Sequence, residues 1–187
     1  MGADGSVHVL ARNAGGGVML RREPAGGRWS PWTDLKGSGA RGPVTVVAHS
    51  SGRIEAMAAG RDVLMRWTQA EPGGDFGQEP ALPLAGGRGG AVDLEPRPTG
   101  PRTTGPTRRP GTLLAHRDAE GRVLLAACGT ENDRAGVEWA PTGERCLGAP
   151  ALARDAHGRV VLGVIGADCT LRTSRLGTPD FRFAEYA

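Results

Sequence analysis

Apolar residues in this chain recur in short runs that alternate with polar residues at about every second position. The stretch 43–69 shows the pattern most completely, with apolar or alternating runs at 44–49, 54–59 and 63–68. Ser and Gly between the runs favour tight turns, because Gly accepts positive φ and Ser caps turns. A period near two predicts β-strands, and a helix is the alternative for 54–59, where Glu, Ala and Met favour it.

The same pattern returns along the chain. A Gly followed by Arg and an apolar residue occurs at Gly52, Gly121 and Gly158, and Gly5 opens a related phrase. A repeat of about 40 to 50 residues with several strands per unit is typical of β-propeller blades. The sequence therefore predicts an all-β fold, a β-propeller built from about four four-stranded blade-like repeats. The ring is expected to be small, partial or completed by another chain.

One segment interrupts the repeat. Residues 84–110 are rich in Gly, Pro, Arg and Thr and offer few side chains for burial. Their composition predicts an irregular insertion or flexible linker, with 92–94 as the one place where a strand can form. The segment separates repeats one and two, at 1–83, from repeats three and four, at 111–187, within one domain overall. Strands are predicted in the third repeat at 112–115, 123–127 and 135–140.

Composition supports this picture and narrows the partners. The chain has 31 Gly and 14 Pro in 187 residues, which suits turns far better than helices. The net charge of +3 comes with no Lys/Arg run interleaved with aromatics, so no nucleic-acid partner is predicted. Neither a signal peptide nor a membrane-spanning segment is predicted, which makes the cytoplasm the default location. Cys128, Cys146 and Cys169 fit no metal pattern and are expected to be buried thiols.

The most specific string is Trp29-Ser30-Pro31-Trp32, followed by Thr-Asp-Leu-Lys-Gly. Two tryptophans three residues apart around a proline cannot lie in a regular helix, and they suit an outer strand with one ring near the surface. Together with the Gly-Arg-apolar turns, this string resembles the PLL-type seven-bladed β-propeller lectins, and more distantly the tachylectin-2-like propellers. The resemblance covers 4–83 well and 111–183 loosely.

The resemblance implies a carbohydrate-binding module, in which aromatic faces stack on sugar rings and a few polar side chains bind hydroxyls. Family blades carry Leu-Trp-His in the third strand, where this chain has Met19-Leu20-Arg21 and Leu64-Met65-Arg66. The Trp and His of that motif are therefore missing. Arg21 is a further possible donor. The residues expected to bind ligand are Trp29, Trp32, Trp67, His49, Arg66 and His116.

Other interpretations remain open at this point. The tryptophans can instead be blade core, which would favour a degenerate propeller acting as a protein-interaction scaffold. A propeller enzyme such as a glycoside hydrolase is the third alternative, but carboxylates such as Glu55 and Asp118 are placed at blade turns and no pair is singled out. His49 and His116 precede two Gly-Arg turns at matching repeat positions, which favours a structural or pocket-edge role over a catalytic one. No cofactor or metal is predicted. The expected partners are a glycan or other small ligand, and a second copy or a completing chain.

Overall fold

The computed structural model describes residues 1–49, 51–84, 92–96, 111–129, 137–157 and 159–175. Over these ranges the chain is all-β, as predicted, with strands and turns and no helix. None of the described residues forms a helix that is long and apolar enough to cross a membrane. The strands are β1 (Val7–Arg12), β2 (Val18–Glu23), β3 (Thr33–Asp34), β4 (Val44–Ala48), β5 (Ile54–Ala59), β6 (Val63–Gln69), β7 (Phe76–Pro83), β8 (Val92–Pro96), β9 (Gly111–Arg117), β10 (Arg122–Gly129), β11 (Ala140–Arg145), β12 (Ala151–Arg154), β13 (Val160–Ile165) and β14 (Leu171–Arg175).

The strands form four small antiparallel sheets, and each strand pairs with its neighbours in sequence. The first sheet has the order β1-β2-β3, the second β4-β5-β6-β7, the third β11-β10-β9-β8 and the fourth β12-β13-β14. Each sheet is therefore an up-and-down meander, which short hairpin turns can connect without crossovers. Two sheets have the four predicted strands, and in the other two the described residues supply three.

Individual predictions differ in outcome. Residues 54–59 form β5, so the helical alternative is wrong there; Ala and Met favour a helix, but both faces of the strand are buried between neighbours. A strand is present at Val92–Pro96 inside the predicted insertion, where β8 pairs with β9 from Val92↔His116 to Pro96↔Thr112. The strand predicted at 135–140 is displaced, because β11 begins only at Ala140. The sequence also predicts a last outer strand at 181–186, and these residues lie outside the described ranges.

Five-residue hairpin turns recur with one geometry. The N–H of the first residue donates to the carbonyl of the fifth, as in His49 to Arg53 and Asp118 to Arg122. The N–H of the fourth residue donates to the carbonyl of the first. The fourth residue is in the left-handed region, with φ of +85° at Gly52 and +81° at Gly121, where glycine avoids a Cβ clash. In the turn that joins β13 to β14, Cys169 holds this place with φ of +62° and is exposed, contrary to the expected burial.

The core lies between sheets within each of two compact units, Met1–Gly89 and Gly90–Ala187. In the first unit, Val18 packs with the small side chains of β5 and with Met65 and Trp67 of β6. In the second unit, side chains of β9 and β10 pack against Leu152 and the alternate residues of β13. Cys146 belongs to this second core, and burial raises the pKa of its thiol. The division between the units falls inside the predicted 84–110 insertion.

Candidate functional site

The Trp29–Trp32 segment follows the edge of the first sheet, just before β3. Ser30 fixes it there: its N–H donates to the Arg22 carbonyl at 2.7 Å, and its Oγ accepts the Arg22 N–H at 3.1 Å. The segment continues the pairing of β2 in irregular form, and regular pairing begins only at Thr33, opposite Leu20. The predicted outer strand is therefore shorter than expected, because Pro31 lacks the N–H that a ladder needs.

An aromatic and cationic surface results, formed by Arg21, Trp29 and Trp32 and called here the Trp–Arg surface. The Arg21 guanidinium carbon lies 5.3 Å from the centre of the Trp29 ring, within the range of a cation–π contact. Arg21 Nε also donates to the Ser30 carbonyl at 3.0 Å. Trp29 is half-buried and Trp32 is 47% exposed. An indole with this exposure, carried on a hydrogen-bonded segment, offers a flat apolar face to a ligand.

Trp67 belongs to the core. Its ring is completely buried, and its Nε1 donates to the Leu35 carbonyl at 2.9 Å. A Cβ at Gly37 would come within 2.8 Å of the ring edge, so the loop backbone lies directly against the indole. The ring therefore has no face available to a ligand, and the interpretation of the tryptophans as blade core applies to this one.

His49 and Arg66 are both buried, and both contact Glu55, which was not among the residues expected to bind ligand. Glu55, completely buried on β5, accepts from Arg66 Nε at 2.5 Å through one oxygen and lies 2.8 Å from His49 Nε2 through the other. The His49–Glu55–Arg66 cluster joins the end of β4 to β5 and β6. Burial of His49 and Arg66 at 8% and 4% exposure removes both from direct contact with a surface ligand.

The position of Glu55 differs from the expectation that it lies at a blade turn. It sits in the interior of β5, where the alternation of the sequence places one carboxylate inside an otherwise apolar run. A buried carboxylate requires paired donors, since its desolvation is costly. A single acidic residue within an otherwise apolar strand is the sequence signal that could have predicted this cluster.

His116 is also buried, on β9, with its ring tilted against Trp139 at a centroid distance of 5.4 Å. The expected equivalence of His49 and His116 is wrong. His49 opens a five-residue turn, whereas the residue that opens the corresponding turn in the second unit is Asp118, two positions after His116. The two turns have the same length, but His116 precedes its turn by two residues and therefore remains within β9, where it pairs with Leu124.

Carboxylates and other side chains that can bind metal ions occur in several turns of the part of the chain that the structure describes. Its His, Cys, Asp and Glu side chains form no group of three or more that could hold a metal ion. Three aspartates at turns accept hydrogen bonds from residues of the same turn. Asp118, Asp155 and Asp168 each accept both a backbone N–H and an arginine N–H.

Comparison with known proteins shows a likeness to solved structures. No protein-family model matches the chain, and no curated protein matches it. Among solved structures, the chain is similar to puromycin hydrolase, seen in the crystal structure of a mutant complexed with PGG, with a TM-score of 0.53 and 22% sequence identity. The match covers 100% of this chain and 31% of that one, so this chain spans less than a third of that protein's length. At this identity the likeness concerns the fold alone.

Proposed function

We propose that this chain is a carbohydrate-binding β-propeller module whose ligand surface is the Trp–Arg surface of Arg21, Trp29 and Trp32. The observation that carries the proposal is the 47% exposure of Trp32 beside a half-buried Trp29 that the Arg21 guanidinium covers. Sugar rings present apolar C–H edges that stack on indole faces, and their hydroxyl groups accept hydrogen bonds from guanidinium groups. The resemblance of the Trp-Ser-x-Trp string to β-propeller lectins supports the same conclusion.

The propeller part of the proposal rests on the meander sheets. Propeller blades are four-stranded antiparallel sheets repeated around an axis, typically four to eight of them. The four sheets of this chain follow one another in sequence, each with three or four strands in up-and-down order. Within each unit two sheets pack face to face through apolar side chains, as neighbouring blades do.

A glycan array probed with the purified chain tests the proposal, followed by titration of the best ligand. Trp32→Ala is expected to weaken binding several-fold, since an aromatic stack contributes on the order of 1 kcal/mol. Trp32→Phe should retain part of the affinity. Trp139→Ala, in the second unit, is the control and should bind as the parent does. A parent chain that binds no glycan, or a folded Trp32→Ala variant with unchanged affinity, would overturn the proposal.

A further inference from the structure

The first sheet has one buried and one open face. Strand register places Val7, Val9 and Ala11 of β1 on the same face as three residues of β2 and one of β3, namely Met19, Arg21, Glu23 and Asp34. Val7 and Val9 are 40% and 41% exposed. On the opposite face, Leu10 and Val18 pack into the core of the first unit. The seven residues on the open side are called the first-sheet face.

The fourth sheet has the same asymmetry. Its register groups Ala151 and Ala153 of β12 with Val161 and Ile165 of β13 and with Leu171 and Arg175 of β14. Leu171 is 70% exposed and Ile165 is 41% exposed. The alternate residues of β12 and β13, such as Leu152 and Leu162, are buried in the core of the second unit. These six open residues are called the fourth-sheet face.

The two middle sheets are different. All six residues of β5 are buried, and so are five consecutive residues of β9, from Thr112 to His116. Strands of this kind are covered on both faces. The central strands of the first and fourth sheets, β2 and β13, are less completely buried.

The two open faces are complementary to each other. Each presents exposed aliphatic side chains: Val7 and Val9 on the first-sheet face, and Ile165 and Leu171 on the fourth-sheet face. Alanines on both faces allow close approach. Their charges are opposite: Arg21, Glu23 and Asp34 give the first-sheet face a charge of −1, whereas Arg175 gives the fourth-sheet face +1. We propose that the first-sheet face of one copy of this chain packs on the fourth-sheet face of a second copy.

A contact between two different faces is heterologous. Each copy retains one unused face after the first contact, so association continues until the copies close into a ring or form a filament. This inference is carried by other observations than the carbohydrate proposal, but the two surfaces share Arg21, so assembly and glycan would compete for that side chain. The variants that test it therefore leave Arg21, Trp29 and Trp32 unchanged.

Light scattering coupled to size-exclusion chromatography, across micromolar concentrations, measures the mass directly. The parent is expected at two or more times its 19.4 kDa chain mass. Val9→Glu and Leu171→Glu each place a charge in one face and should reduce the assembled fraction at least tenfold. Val63→Glu and Leu147→Glu are matched controls, because these residues are 42% and 54% exposed and lie outside both faces. All four changes are at exposed sites, and circular dichroism should confirm their folding.

Mixing the two interface variants separates this proposal from a symmetric contact. A Val9→Glu chain keeps an intact fourth-sheet face, and a Leu171→Glu chain keeps an intact first-sheet face. The mixture should therefore form a pair of chains although neither variant assembles alone. A parent chain that remains monomeric at every concentration overturns the proposal, as does a mixture that stays monomeric or assembly that only the control substitutions weaken.

Discussion

At the scale of single residues, a buried carboxylate organises the polar side of the second sheet. Glu55 lies between a guanidinium and an imidazole, and all three side chains are at least nine-tenths buried. Arg66 Nη2 and Thr68 Oγ1 are buried on β6 without a hydrogen-bond partner among the described residues. Removing the carboxylate would leave a buried guanidinium with still fewer partners, so the cluster stabilises the fold only while it is complete.

Substitutions at Glu55 test this dependence. Glu55→Gln keeps the shape of the side chain but removes its charge, and is expected to lower the free energy of unfolding by about 3 to 5 kcal/mol. Glu55→Leu combined with Arg66→Met removes both charges and should cost less than Glu55→Gln alone. Urea denaturation of the three proteins measures the difference. A Glu55→Gln protein as stable as the parent would show that the cluster does not contribute as described.

A second residue-scale prediction concerns the loop over Trp67. Gly37 and Gly39 have φ values of +83° and +77°, so alanine is strained at both positions. A Cβ at Gly37 would come within 2.8 Å of the Trp67 ring, while nothing lies within 4 Å of a Cβ at Gly39. Gly37→Ala should therefore lower the free energy of unfolding by about 1 to 3 kcal/mol more than Gly39→Ala does. Equal losses in thermal or urea denaturation would contradict close packing at the ring.

At the scale of elements, one turn geometry connects most of the hairpins, and its first residue has a second role. Asn13, Asp118 and Asp155 each accept the N–H of the residue four positions later at 2.8 to 2.9 Å. His49 opens a turn of the same backbone geometry, but its imidazole turns inward to Glu55. The turn thus tolerates loss of the side-chain acceptor where the side chain joins a buried cluster instead.

Aspartates with lowered pKa values predict how the free energy of unfolding changes at acid pH. Hydrogen bonding to the Arg159 backbone N–H and then to its side chain lowers the pKa of Asp155 to about 2, and Ser6 followed by Arg22 does the same for Asp4. A carboxyl with a lowered folded pKa contributes stability above its unfolded pKa of about 3.9. That stability is lost as the pH falls from about 4 to about 2. Asp155→Asn should give a shallower decline over this interval in urea denaturation; an unchanged slope would contradict the assignment.

Strand periodicity and turn chemistry made most elements predictable, because each depends on neighbours in sequence. The run at 44–49 forms β4, Val44–Ala48, and the run at 63–68 forms β6, Val63–Gln69. The predicted start of β11 and the equivalence of His49 with His116 were wrong for a common reason. Both depend on where a strand ends relative to its turn, which the local pattern does not specify.

The site was less predictable than the strands. The sequence alone did not separate buried from exposed tryptophans among Trp29, Trp32 and Trp67. In the structure Trp67 is in the core and Trp32 is 47% exposed. Register decides this difference, since Trp67 pairs with Ala56 on the face that packs against the first sheet. Such a tertiary relation is absent from any local pattern, and so is the role of Glu55 as a shared partner of His49 and Arg66.

At the scale of the whole molecule, four meander sheets in sequence order provide the framework for both proposals. The Trp–Arg surface follows the edge of the first sheet, and the first-sheet and fourth-sheet faces are the open faces of their sheets. Carbohydrate binding and assembly have separate readouts, ligand affinity and mass. Leu171→Glu should change the mass and still bind glycan, because its side chain is on a different sheet from the Trp–Arg surface.

The most direct test of the central claim is isothermal titration calorimetry, in which the best array glycan is titrated into the parent protein and into the Trp32→Ala protein. Both proteins must first give the same melting temperature, which the 47% exposure of Trp32 leads us to expect. The account predicts measurable binding to the parent and a several-fold higher Kd for Trp32→Ala, corresponding to about 1 kcal/mol. Equal Kd values for two equally folded proteins, or a parent that binds no glycan, would contradict it.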